Sequence, residues 1–104
     1  MQKEYNKAIR DRIPEIIEKS GKKCSIKKLS DKEFLPYIEQ KIIEESDEYF
    51  SSRSVEELAD LLEVIFRVAE LKGTSFNELE KIRIKKQGER GNFSKNFVLV
   101  STDV

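Results

Sequence analysis

Apolar residues recur along the chain at spacings that predict helices. Ile16 and Ile17 follow Pro14, a residue well placed in a first helical turn, and Gly21 is a natural stop, so a short helix is expected between them. Leu35, Ile38, Ile42 and Tyr49 recur at steps of three, four and seven, predicting a longer helix from about Asp31 to Ser51. Ser30 and Glu33 form a capping-box pattern at its start, and Leu29 with Phe34 are placed for a hydrophobic staple. Pro36 is expected to kink this helix or delay its start. The next helix runs from Ser54, with a glutamate three residues on, to Lys72-Gly73. With Leu58, Leu61, Leu62, Ile65, Phe66, Val68, Ala69 and Leu71 it is the most apolar segment and the expected centre of the core. A fourth begins near Ser75, where Glu78 completes another box, and fades around Gly88 to Gly91. Two stretches read differently: Cys24 to Leu29 alternates apolar and polar, and Phe97-Val98-Leu99-Val100 is a β-prone run. They are expected to pair. The predicted architecture is mainly α, about four helices, with a small two-stranded β appendage.

The chain has 104 residues, room for one domain spanning 1–104. Hydrophobic and charged residues each make up 38%, so the core must be modest and the surface highly charged. No apolar run approaches the roughly 18 residues of a membrane span, and Met1 to Tyr5 lacks the apolar stretch of a secretory signal. Cys24 is the only cysteine, which fits a reducing cytoplasm. The net charge is zero but unevenly spread: residues 1–30 carry +5, residues 31–70 carry −8, and residues 71–104 carry +3. Histidine is absent, which excludes serine or cysteine triads, HExxH zinc sites and any imidazole base. A metal here must be held by oxygen, which favours Mg²⁺, with Mn²⁺ as a substitute.

The acidic middle contains two pairs at i, i+3, Glu45 with Glu48 and Glu57 with Asp60. Each pair puts two carboxylates on one side of a helix. If the helices pack antiparallel, as their short connection suggests, the four can converge on a divalent cation. At about 100° per residue, Glu45 lies about 20° from Ile38, and Glu57 about 20° from Val64 and Val68. Both acids border apolar surface, where an unpaired carboxylate is costly. Ordinary explanations stand beside this one. Asp60 also belongs to a charged stripe with Glu56, Glu63, Arg67 and Glu70, Glu57 is the box partner of Ser54, and Glu44 and Glu48 can be plain helix surface.

The ordered combination of ExxE on one helix and ExxD on the next resembles the MazG-like all-α nucleotide pyrophosphohydrolases. Tyr5 to Ile17, with Asn6, Arg10 and Asp11, looks like the opening of a short subfamily described as predicted house-cleaning enzymes. Lys41 to Glu48 with Glu56 to Glu63 looks like its catalytic core, and Lys85 to Phe93 like its basic, glycine-punctuated C-terminal segment. The resemblance implies a helical bundle completed by dimerisation. It also implies Mg²⁺-dependent hydrolysis of a nucleoside triphosphate between the α and β phosphates, giving monophosphate and pyrophosphate. Carried onto this chain, Glu45, Glu48, Glu57 and Asp60 are the metal ligands, and one of these acids, Glu45 or Glu48 in the first place, positions the attacking water. Lys41, Arg83, Lys86, Arg90, Asn6 and Arg10 are candidates for substrate contact. The short link between the acidic pairs and Pro36 depart from the pattern, without removing an acid. Two rival readings use the same residues. One is a non-catalytic helical interaction or regulatory module whose acidic face binds a basic partner. The other is nucleic-acid binding through Lys22, Lys23, Lys27, Lys28 and the 81–90 segment, which lacks interleaved aromatics.

Overall fold

The computed structural model describes residues 3–104, and all of its regular structure is helical. The elements are α1 (Ile13–Lys19), α2 (Asp31–Ser52), α3 (Val55–Leu71) and α4 (Phe76–Arg90). Pro14 lies in the first turn of α1, and Gly21, at φ +90°, takes the left-handed backbone that lets the chain leave it. Ser30 caps α2 in both directions: its Oγ accepts from the Glu33 N–H at 3.2 Å, and its own N–H donates to the Glu33 carboxylate at 3.3 Å. The same reciprocal box starts α4 at Ser75 and Glu78. At α3 the expected box does not form. Ser54 Oγ accepts from the N–H of Glu56 instead, one position earlier than Glu57.

Pro36 does not break or delay α2, which runs unbroken for 22 residues. Its ring sits on an exposed face, and its missing N–H costs α2 the hydrogen bond to the Lys32 carbonyl.

Only Arg53 and Ser54 separate α2 from α3. Arg53 adopts φ +60° and returns its N–H to the Tyr49 carbonyl at 2.6 Å, closing α2 and reversing the chain. The two helices therefore pack as an antiparallel hairpin. Arg67, late in α3, lies 3.5 Å from Asp31 at the start of α2. The seam between them is centred on Ile38 and Val64, both buried, with Phe34, Leu35, Tyr37, Ile42, Val68 and Leu71 packed around. Among the described residues the third buried one is Ala8, so the N-terminal segment lies along this hairpin as a strap and inserts one small side chain into its core. Asn6 bends that strap at φ +47°, a left-handed position asparagine tolerates better than most residues.

Helix α4 meets the hairpin only at its start. The Phe76 ring packs edge-on against Phe66, centroids 4.7 Å apart, and every residue from Lys81 onward is exposed. The radius of gyration is 18.2 Å, against about 13 Å for a compact chain of this length. Leu58 and Leu62 remain half-exposed, so α3 contributes less core than its composition predicts. The predicted β appendage is absent among the described residues. Neither 24–29 nor 97–100 forms a strand, and Phe97 to Val100 are at least 80% exposed. A two-stranded unit is marginal in water without a face to pack on, and the tail never returns to the hairpin. No helix among the described residues is long and apolar enough to cross a membrane.

Candidate metal centre

The hairpin turn places the last third of α2 beside the first turns of α3. Glu45 stands two turns along α2 from Ile38, and Glu57 and Asp60 stand seven and four residues before Val64, so all three share the seam's face. One carboxylate oxygen from each of Glu45, Glu57 and Asp60 lies within 4.8 Å of the other two. The apolar centre of the seam thus continues directly into an acidic end. Two of the three come from the same i, i+3 step on α3; the third is supplied by the neighbouring helix.

The electrostatics follow from that convergence. The Glu57 carboxyl is raised from its ordinary value, first by desolvation against the seam, then by the charges of Asp60, Glu48 and Glu45. With Ser54 turned to Glu56, Glu57 faces Asp60 rather than the helix terminus. The helix-capping explanation for Glu57 is thereby removed. Glu48 is exposed one turn beyond Glu45. It adds to the field on Glu57 but stands outside the group of three whose oxygens converge.

Basic side chains of the same chain answer these charges. Lys41 Nζ lies 3.5 Å from Glu45 and 3.6 Å from Glu44, and its side chain is only 16% exposed. From the strap, Lys7 Nζ reaches Glu44 at 3.3 Å and an Arg10 Nη donates to Asp60 at 2.8 Å. Lys7 and Glu44 drew no functional reading from the sequence, and the pairing of Arg10 with Asp60 spans fifty residues. The legible signal was coarse: a basic N-terminal third beside an acidic middle. The remaining candidates lie elsewhere. Arg83 is paired on its own helix with Glu80, its Nε at 3.0 Å. Lys86 and Arg90 project from the exposed part of α4, which leaves the hairpin at the far end of α3 from the triad. Among the described residues of one chain nothing brings these three to the acids. Asn6 is exposed beside Lys7, where its bent backbone directs the strap.

The donor set suits a hard divalent cation. It consists of oxygens alone, on two rigid elements, with open solvent on one side to complete a coordination shell. Two oxygens bound to one Mg²⁺ can stand at most about 4.2 Å apart, twice the metal–oxygen distance. The three oxygens lie within 4.8 Å of one another, so a small rotamer adjustment at most brings them inside that limit. A guanidinium already lies against one of the three acids, so the site accepts positive charge. Comparison with protein-family models, with curated proteins and with solved structures finds no match for this chain.

Proposed function

We propose that this protein is a Mg²⁺-dependent nucleotide pyrophosphohydrolase, cleaving nucleoside triphosphates between the α and β phosphates in nucleotide-pool house-cleaning. The observation that carries the reading is the convergence of Glu45, Glu57 and Asp60 around a carboxyl that desolvation and then the surrounding acids keep hard to ionise. Three acids gathered at the end of an apolar seam repel one another, and the arrangement is costly unless a cation shares it. Mg²⁺, with Mn²⁺ as a substitute, would be held by these three and supply neutralisation of phosphate charge. Glu48, free of the triad and one turn from Glu45, is placed to orient a water or accept its proton. Lys41, half-enclosed between Glu44 and Glu45, presents an ammonium at the rim where a phosphate oxygen would approach. A homodimer belongs to the same reading. Val55, Leu58 and Leu62 on α3, with Ile43 and Phe50 on α2, leave large apolar side chains in water that a second copy would cover. A second hairpin could also bring another copy's basic α4 to the acids, giving Arg83, Lys86 and Arg90 a phosphate to meet. A cytoplasmic setting agrees with the free thiol of Cys24.

The test is a panel of nucleoside triphosphates with MgCl₂, following pyrophosphate against orthophosphate. Pyrophosphate is expected, and Glu45→Gln and Asp60→Asn are expected to abolish it while retaining helix content. Normal turnover by both variants would overturn the assignment. One observation favours the rival, a non-catalytic module with an acidic face: the acids are already partnered by Lys41 and Arg10, as in a purely structural charge cluster. That module would bind no Mg²⁺, and its melting temperature would be indifferent to the ion.

A further inference from the structure

The strap is anchored at two points and charged at a third. Ala8 is 5% exposed in the hairpin core, and Lys7 is paired with Glu44, so the backbone of this segment is held over the acidic end of the seam. Two residues past Ala8, the Arg10 guanidinium reaches Asp60 at 2.8 Å. Its side chain remains 57% exposed, so it can leave Asp60 without uncovering apolar surface. The ledger of charges around the triad is uneven. Lys41 answers Glu45 and Arg10 answers Asp60, while Glu57 has no ion-pair partner among the described residues. Two single positive charges therefore face three carboxylates. A divalent ion among the three would satisfy Glu57 as well, and it would compete with Arg10 for the negative charge of the Asp60 carboxylate. It would also stand a few ångströms from a like charge.

We propose that Arg10 is a built-in counter-cation of the acidic site, which a divalent ion must displace from Asp60. The inference rests on the metal site of the proposed function. The strap stays anchored through Ala8 and Lys7 while the guanidinium swings free. Displacement leaves Arg10 tethered at the rim, in the right place and with the right charge to take a phosphate oxygen of an incoming substrate.

The experiment titrates MnCl₂ into the wild-type protein and Arg10→Gln, following free Mn²⁺ by electron paramagnetic resonance. The loss of an exposed ion pair and of one repelling charge should tighten Mn²⁺ binding about three- to tenfold in the variant. Arg10→Lys, which keeps the charge but not the fork, should fall between the two. Equal or weaker binding by Arg10→Gln would overturn the proposal while leaving the metal site standing. Failure of both proteins to bind Mn²⁺ would remove the metal site and this inference with it. A second measurement needs no variant. In the wild type, nitrogen NMR of the Arg10 guanidinium should change from hindered to free rotation on adding MgCl₂. Rotation that stays hindered at saturating Mg²⁺ would also overturn it.

Discussion

Ile38→Ala tests the physical basis of the whole arrangement, because the same seam holds the hairpin together and aligns its acids. Ile38 is 8% exposed and packs in one cluster with Ala8 and Val64. The substitution removes roughly three carbons, worth about 0.8 kcal/mol each on transfer from water. Full-sized cavities add to such losses, but the neighbours Tyr37, Ile42 and Val68 are only partly buried and can close in. The expected cost is therefore about 2–3 kcal/mol, toward the lower end of the range for isoleucine truncation. Against a total stability of about 5–15 kcal/mol for a small domain, that is a large share. Urea unfolding followed by far-ultraviolet circular dichroism should show an earlier midpoint with an unchanged slope. Mg²⁺ binding should weaken in parallel, since Glu45 stands two turns from Ile38 on the same face. Ile26→Ala, at a 63% exposed position outside the helices, is the control and should lie within about 0.5 kcal/mol of wild type. An Ile38→Ala loss no larger than that control would mean that something other than this seam holds α2 against α3.

Four further outcomes follow from the same geometry. Adding MgCl₂ at about ten times its dissociation constant should raise the melting temperature by several degrees, the linkage free energy being about 1.4 kcal/mol. Glu57→Gln should melt higher than wild type without Mg²⁺ at neutral pH, because it relieves the acidic repulsion, and should lose the Mg²⁺ increment; differential scanning fluorimetry reads both. The raised Glu57 carboxyl binds its proton more tightly folded than unfolded, so its contribution to stability falls as pH rises through the upper carboxylate range. Mg²⁺, which needs the ionised form, should bind more tightly over that same interval, as calorimetric titration at several pH values would show. Pro36→Ala should stabilise the protein by about 1–3 kcal/mol, since it restores a helical N–H to the Lys32 carbonyl on an exposed face; an unchanged urea midpoint would contradict this.

The four helices were legible from the sequence because their signals are local. Ser30 with Glu33, Ser75 with Glu78, Pro14 and Gly21 act within a turn of their own positions, and the structure bears out each of them. The acidic pairs were legible for the same reason, since an i, i+3 step fixes a shared face before any packing occurs. Pro36 did not delay α2, because the Ser30–Glu33 box fixes the start of the helix ahead of it and the helix runs on through the proline. The two strands misled because alternation describes a surface that still needs a partner, and none of the described residues provides one for 24–29 or 97–100. Ser54 and Glu57 likewise matched a box, yet the cap closed on Glu56 and left Glu57 to the seam.

Residue order alone thus determined which segments are helical, where they start and stop, and which acids share a face. Tertiary structure decided which acids meet: Glu45, Glu57 and Asp60 converge across a two-residue turn, while Glu48 remains a step outside. It also decided what answers them, bringing Lys7 and Arg10 over the site from the far end of the sequence. The physical reason is range. Capping and periodicity act over three or four residues, whereas the charge balance of a site is a sum over everything within a few ångströms, and only the packing of α2, α3 and the strap sets which charges those are.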